Sequence, residues 1–340
     1  MGREYTVAVV GATGLVGQTM CSVLAERGFP IKELRLLASA RSAETVISWQ
    51  GREIAVEETT DSSFEGVDLV LIATGNDVSK RFSPVAVRAG ALVVDNSSAF
   101  RLEEWVPLVV PEVNPEDVDR HQGIIANPNC STIQMVVALA PIQRVNPIKR
   151  IVVDTYQSVS GTGKEAVEEL RQQVRQYAAG AEGEITPRVY PYQIAFNLLP
   201  HIDVWLPDGS SREEYKMMAE TRKIMHLNGV KIVATTVRVP VFFAHSEAVH
   251  VELSEPMSPD EARAVLQRAP GVVVQGDLSR NEYPTPLPAS GRDEVFVGRI
   301  RRNEVFENGL SLWVVADNIR KGAALNAVQV AETLVSRGHL

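Results

Sequence analysis

Cysteine is scarce in this chain: 340 residues hold two, Cys21 and Cys130. Two are too few for a disulfide framework and suit a reducing compartment. No apolar run approaches the ~20 residues needed to cross a bilayer. A strand pattern begins at Tyr5, which leaves no room for a signal peptide, so a cytoplasmic location is expected. Positive charge is not in excess either, since 34 Lys and Arg face 42 Asp and Glu for a net charge of −8. No global basic field draws nucleic acid or an anionic membrane, and neither is an expected partner. Any anionic ligand must be held by local arginines and lysines. Repeats and low-complexity stretches are absent, and no metal site is expected.

What is present reads as an ordinary globular enzyme, 45% hydrophobic and 22% charged, long enough for two domains with full-sized cores. Three short motifs match by accident. Met1-Gly2 with Thr6 fits a myristoylation pattern, but Tyr5 and Thr6 already begin the first strand. Asn96-Ser97-Ser98 and Asn129-Cys130-Ser131 fit a glycosylation pattern that means nothing without secretion.

The first half reads as a nucleotide-binding unit. Tyr5 to Val10 is a β-rich run that ends in Gly11-Ala12-Thr13-Gly14-Leu15-Val16-Gly17, and an amphipathic helix follows to about Arg27. Glycines there permit a tight turn, close approach of a pyrophosphate and close helix packing, with the helix N-terminus facing the phosphates. The spacing is G-x-x-G-x-x-G, not the commoner G-x-G-x-x-G, and glycine turns also occur for purely structural reasons. Glu33 to Ser39, Val67 to Ala73, Leu92 to Asp95 and Ile124 to Ala126 read as further strands, with a helix over Ser79 to Ala89. This alternation predicts a parallel, doubly wound α/β sheet. Ser39-Ala40-Arg41-Ser42 ends the second strand, where an acidic residue usually holds the ribose 2′-hydroxyl of NAD. A guanidinium flanked by two hydroxyls suits a 2′-phosphate, which favours NADP(H), although a solvated loop arginine fits the same residues. Thr74-Gly75-Asn76 lies at the carboxyl end of a buried strand, where cofactor contacts tend to fall.

The second half carries nucleophile chemistry. Cys130 precedes an apolar helical segment, Ile133 to Leu139, and a thiol at a helix N-terminus is biased toward thiolate. The same position suits a buried, inert cysteine; Cys21, on the first helix, is expected to be core. Lys149 to Ser160 reads as a strand with Ile151, Val153, Thr155 and Gln157 on one side, leading into a second glycine turn, Ser160-Gly161-Thr162-Gly163, and a helix. Glu213 opens a polar helix to about Leu227 and shares a face with Lys216, which spacing alone reads as a surface ion pair. Val230 to Pro240 is a strand in which Arg238 aligns with Ile232, Ala234 and Thr236, and such an arginine wants an anionic partner. His245, one of six histidines, falls in a loop after that strand; its pKa range suits a thiol's partner, and a structural role fits as well. Leu310 to Asn318 is a strand into a turn, followed by a helix from about Ile319 to Ser336. Proline-rich patches at 187–191 and 284–288 look like fixed loops.

These residues closely resemble the aspartate-β-semialdehyde dehydrogenase family, and more broadly the glyceraldehyde-3-phosphate-dehydrogenase-like fold. The resemblance covers nearly the whole chain. It rests on Gly11 to Gly17, Ser39 to Ser42, Asn96-Ser97-Ser98 with Arg101, Asn127 to Thr132, Gln157 with Ser160-Gly161, Glu213 to Lys216, Arg238 with His245, and Asp317-Asn318-Ile319-Arg320-Lys321-Gly322. It implies a Rossmann domain over 1–129, completed by a C-terminal helix over 319–340, and an α+β catalytic and dimerisation domain with a mixed sheet over 130–318. It also implies a homodimer. The implied activity is NADPH-dependent reductive dephosphorylation of L-aspartyl-4-phosphate to the semialdehyde, on the route to lysine, diaminopimelate, methionine, threonine and isoleucine.

By the same resemblance Cys130 is the nucleophile, His245 the acid/base and Gln157 the group that orients the acyl carbon or attacking water. Arg238 clamps the substrate α-carboxylate, Glu213 meets its ammonium, and Arg101, Asn129 and Lys216 hold phosphate. Gly11, Thr13, Gly14, Leu15, Val16, Gly17, Ser39, Arg41, Ser42, Thr74, Asn96, Ser160, Gly161 and Asn318 would contact the cofactor. No role is carried onto 180–207, a stretch that varies in the family and suits subunit contacts. Two alternatives remain. N-acetyl-γ-glutamyl-phosphate reductase typically has tyrosine where Ser131 stands, and its substrate has no charged amine for Glu213. A non-catalytic NADP-binding paralogue would lack the cysteine.

Overall fold

A computed structural model describes residues 3–340, so the Met1-Gly2 pattern lies outside the described residues. The chain divides into two compact units, one running through Asn129 and taking back Ala323–Leu340, the other Cys130–Gly322.

The first unit is built on β1 (Tyr5–Val10), α1 (Leu15–Glu26), β2 (Ile31–Ala38), β3 (Val46–Trp49), β4 (Arg52–Glu58), β5 (Leu69–Ile72), α2 (Asn76–Arg88), β6 (Leu92–Asp95) and β7 (Ile124–Ala126). Its sheet order is β3-β4-β2-β1-β5-β6-β7. The β2, β1, β5, β6 and β7 neighbours are parallel, and β4 joins β2 in parallel. β1 and β5 are buried along their whole length, as strands covered on both faces must be. The expected doubly wound sheet is therefore present. The edge hairpin β3–β4 escaped the sequence reading because its strands are short and mostly exposed. Gln50 and Gly51 both adopt positive φ (48° and 75°), the conformation a two-residue hairpin turn requires.

The second unit holds α3 (Cys130–Val145), β8 (Ile148–Gln157), α4 (Lys164–Ala178), α5 (Arg212–Ile224), β9 (Lys231–Arg238), β10 (His245–Leu253), α6 (Pro259–Leu266), β11 (Val272–Val274), the short α7 (Pro286–Ala289), β12 (Val295–Asn303) and β13 (Gly309–Ala316). The sheet is mixed, in the order β11-β12-β13-β10-β8-β9. β8–β9 and β11–β12 are parallel and the other pairs antiparallel. α3 is buried at every position from Ser131 to Ile142, as a helix apolar all round must be; it packs on β8, β10, β12 and β13. Beyond β13 the expected helix at 319 is delayed: Arg320–Ala324 form a π-helical turn, and α8 (Leu325–Ser336) follows. α8 lies on α1 in the first unit, where Arg27 and Glu332 pair through two 2.7 Å hydrogen bonds. Cys21 is buried as expected, and burial pushes its thiol up to about 12.

One core carboxyl carries a stability prediction. Glu247 in β10 is fully buried, and that burial, opposed only by the neighbouring Gln134 side chain, raises its pKa well above the ordinary 4.5. Above pH 4.5 the unfolded chain releases a proton that the folded protein keeps, so this residue progressively lowers stability as pH rises toward the raised value. Each tenfold change in proton affinity is worth about 1.4 kcal/mol. Calorimetry of Glu247→Gln is expected to show a higher melting temperature than wild type at pH 8, a gain that disappears near pH 4.

Candidate active site

In the first unit, the glycine turn joins β1 to α1 at the point where the sheet order reverses, with β2 on one side of β1 and β5 on the other. Crevices for nucleotides form at such points. Gly11 has φ 86°, and a Cβ there would stand 2.5 Å from Thr74 Cγ2 and 2.7 Å from the Ala73 carbonyl oxygen. A Cβ on Gly17 would collide with the Gly11 carbonyl. Gly14 caps α1 with no side-chain hydrogen bond, so Leu15, Val16 and Gly17 form a first turn with no side chain over it. Ser39, Arg41 and Ser42 sit on a 3₁₀ turn after β2, with Arg41 exposed. Thr74 follows β5, and its buried Oγ1 has no hydrogen-bond partner. Asn96 Oδ1 accepts from Asn127 Nδ2 (2.7 Å) and its carbonyl from Arg101 Nη2 (2.8 Å). Arg101 and Asn129 are both buried. An uncapped helix start, glycines packed against backbone and an orphaned buried hydroxyl fit a dinucleotide phosphate.

In the second unit, strand register gathers the chemistry. Ser246 pairs with Tyr156, so His245 stands level with Gln157, and Gln157 is paired with Arg238. The three side chains form one row across β10, β8 and β9 on the buried face. Alternation along β8 and β9, with Ile151, Val153 and Thr155, then Ile232, Ala234 and Thr236 buried, puts them there.

Cys130 is the first residue of α3, at the positive end of the helix dipole. Its Sγ lies 3.2 Å from His245 Nε2. A Cβ on Gly322 would come within 2.8 Å of Cys130 Cβ, so only glycine lets the turn before α8 close on the nucleophile's backbone. His245 opens β10, not the loop expected from sequence. The preceding Ala244 is left-handed (φ 69°), a kink that hides the strand's start. Complete burial, and then the charge of Arg238, hold the His245 pKa well below its ordinary 6.5, so the ring is neutral at pH 7.

Arg238 is buried, donates Nη1 to the Ser158 carbonyl (2.7 Å), and has a buried Nε with no partner. A planar anion would satisfy it. Gln157 Nε2 lies 3.3 Å from both Thr155 Oγ1 and Glu213 Oε1. Glu213 in turn meets Lys216 Nζ at 3.4 Å, and Lys216 donates to Asp203 at 2.6 Å. Ser160 Oγ is within reach of Asn318 Oδ1 (3.1 Å) and Nδ2 (2.9 Å), and Gly161 packs beside His245 and Arg238. Among the described residues no group of three or more His, Cys, Asp or Glu side chains could hold a metal ion. No helix among them is long and apolar enough to cross a membrane.

Sequence reasoning missed Ser158, Asp203 and Gly322. Asp203 precedes its lysine by 13 residues in a stretch without regular structure, and Ser158 acts through register. Gly322 ends the Asp317-to-Gly322 motif. Its role shows only in the structure, where it stands beside the buried Lys321 in a turn too tight for a Cβ.

The fold and this site define a class of protein, and family matches agree. Residues 6–121 match the model described as the semialdehyde dehydrogenase NAD binding domain, and 139–321 match the semialdehyde dehydrogenase dimerisation domain. An aspartate-semialdehyde dehydrogenase of Aquifex aeolicus is 56% identical over 98% of this chain and 99% of its own. The solved aspartate semialdehyde dehydrogenase II of Vibrio cholerae, complexed with ASA, superposes with a TM-score of 0.95 at 43% identity, covering 98% and 99% of the two chains. A Candida albicans aspartate semialdehyde dehydrogenase solved with NADP gives 0.74 at 25% identity, covering 99% and 100%. The chain belongs to the aspartate-semialdehyde dehydrogenase family.

Proposed function

We propose that the protein reductively dephosphorylates L-aspartyl-4-phosphate to L-aspartate-4-semialdehyde through a thioester on Cys130, using NADPH. The observation that carries this is Cys130 Sγ at the start of α3, 3.2 Å from His245 Nε2. The substrate has three charged groups, and the chain has a counter-group for each. Arg238 offers an unpartnered buried Nε to the α-carboxylate, Glu213 a carboxylate to the ammonium, and Arg101 with Asn129 and Lys216 the phosphate contacts. Lys216 already carries two carboxylates, Asp203 and Glu213.

The Cys130 thiolate attacks the acyl carbon; the C–S bond forms, the C–O bond to phosphate breaks, and phosphate leaves with the electron pair. Bound NADPH supplies the hydride that reduces the thioester. The resulting thiohemiacetal oxyanion collapses to aldehyde and regenerates the thiolate. Gln157 orients the acyl group, the dipole of α3 stabilises the oxyanion, and His245 handles the proton at sulfur and oxygen. The Gly11–Gly17 turn would hold the pyrophosphate, and Ser39, Arg41 and Ser42 the 2′-phosphate. Thr74, Asn96, Ser160, Gly161 and Asn318 would complete the cofactor contacts. Arg41→Ala is expected to lower kcat/KM for NADPH about 10- to 100-fold, the worth of a hydrogen bond to a charged group, ~1.5–3 kcal/mol, while steady-state rates with NADH stay unchanged.

The protein works as a homodimer, with the outward face of the second sheet as the interface, where Tyr156 and Val233 stand exposed. A cytoplasmic location fits its two free cysteines. The decisive assay is phosphate-dependent reduction of NADP by purified protein with L-aspartate-β-semialdehyde, run beside N-acetylglutamate-γ-semialdehyde. Turnover of the first alone is the expected result; turnover of the second would assign the other reductase, and turnover of neither, with NADP bound, a scaffold.

A further inference from the structure

Residues 188–199, in the stretch that takes no role from resemblance, are held by buried side chains of α4. Glu169 Oε2 accepts the backbone N–H groups of Arg188 (2.9 Å) and Val189 (2.6 Å). One helical turn on, Gln173 Oε1 accepts those of Ile194 and Ala195, both at 3.0 Å, and its Nε2 donates to Glu169 Oε1 at 3.2 Å. Both side chains are buried, and buried polar groups of this kind fix a segment only when each is satisfied, as these are. At the far end Leu199 and Arg238 exchange backbone hydrogen bonds of 3.0 and 2.8 Å. The segment therefore extends the sheet edge at the very residue that bears the guanidinium.

Between these fixed points stands Tyr190. Its hydroxyl donates to Thr162 Oγ1 at 2.9 Å. Thr162 lies in the glycine turn after β8, and the residue before it, Gly161, is so close to the site that a Cβ there would stand 2.9 Å from Arg238 Nη1 and 3.3 Å from His245 Cε1. The phenol is thus bonded to the turn that borders the guanidinium. Burial raises the Tyr190 pKa above its ordinary 10, and the charge of Arg238 is the largest influence opposing that rise. At neutral pH the phenol keeps its proton and remains a donor.

We infer that the Tyr190–Thr162 hydroxyl pair closes the carboxylate end of the substrate pocket, so that residues 188–199 form a specificity wall beside Arg238 and the pair gives the α-carboxylate a neutral donor next to the guanidinium. The inference rests on the proposed aspartyl substrate and deepens it. Two hydroxyls in contact share one hydrogen bond and hold two protons, so whichever of them donates to the other, one O–H is left for a carboxylate oxygen. An arginine alone attracts any anion within reach; a hydroxyl fixed beside it adds a direction and a distance. The staples from Glu169 and Gln173 keep that wall from swinging away when the pocket empties.

The test is steady-state kinetics of Tyr190→Phe on two aldehydes. KM for L-aspartate-β-semialdehyde should rise about 3- to 10-fold, the scale of one net hydrogen bond, with kcat and the KM for NADP within about twofold. KM for 3-aminopropanal, which has no carboxylate, should not move. Thr162→Val should match Tyr190→Phe, and the double variant should lose little more than either single one, because both remove the same pair. An unchanged KM for the semialdehyde overturns the inference, as do equal rises on both aldehydes or a rise confined to NADP, since a merely loosened loop or turn would give those. A binding arm needs no turnover: NMR titration with L-2-aminobutyrate, which has the α-carboxylate and ammonium but no carbonyl to react, should give a Kd about 3- to 10-fold weaker for Tyr190→Phe than for wild type. That difference in a protein that turns over no semialdehyde would remove the proposed activity and leave the wall standing; equal Kd values, or no binding by either protein, would remove the wall.

Discussion

Cys130→Ala is expected to lower kcat by about 10⁵-fold or more, the scale seen when a covalent nucleophile is deleted from a preorganised site. NADP affinity, measured by fluorescence titration, should stay within about twofold, because the glycine turn belongs to the other unit. Cys130→Ser should fare little better, because a hydroxyl ionises far less readily than a thiol. No other thiol can substitute, since Cys21 is buried in the nucleotide-binding unit and pushed up to about 12. Activity within tenfold of wild type in Cys130→Ala would sink the thioester mechanism.

Arg238→Leu should cost about 10²- to 10⁴-fold in kcat/KM for L-aspartate-β-semialdehyde, from the ~3–5 kcal/mol lost when one member of a buried charge pair is removed. Most of the loss should appear in KM. The control is 3-aminopropanal, which lacks the α-carboxylate; wild type and variant should handle it alike. Arg238→Lys should restore less than a tenth of the loss, because an ammonium cannot donate to the Ser158 carbonyl and a carboxylate with the same planar fork. Equal losses on both aldehydes would mean that Arg238 acts only on the loop that holds His245.

Local pattern accounts for what the sequence revealed. β1 with its glycine turn, and β8 and β9 with their period-two burial, each carry their signal within a dozen residues. β10 does not, because Ser246, Glu247 and His250 interrupt its apolar pattern although most of the strand is buried. β12 contains a register shift between Gly298 and Arg301 with Arg299 left-handed, so its alternation breaks midway. The start of α8 was misread because Arg320 and Lys321 look like a first helical turn, whereas the backbone there is π-helical. Cys130, Gln157 and Arg238 could be proposed from local setting, with roles supplied by family resemblance. Ser158 could not, because its partners His245 and Asn318 lie 87 and 160 residues away and meet it only through sheet register.

The row of His245, Gln157 and Arg238 also works as a ruler. Adjacent strands sit about 4.8 Å apart, so the histidine at the reacting end and the arginine are separated by roughly 10 Å of hydrogen-bonded backbone. A loop-built pocket can stretch to admit a longer ligand, but a sheet cannot lengthen between its strands without breaking its ladder. A substrate one methylene longer would have to buckle or give up one of its two anchors. That misfit is worth about 1–3 kcal/mol, or 10- to 200-fold in kcat/KM. With Arg238 and Cys130 in their proposed roles, selection for a four-carbon chain would thus be set by strand spacing, upstream of any side chain that touches the middle of the substrate.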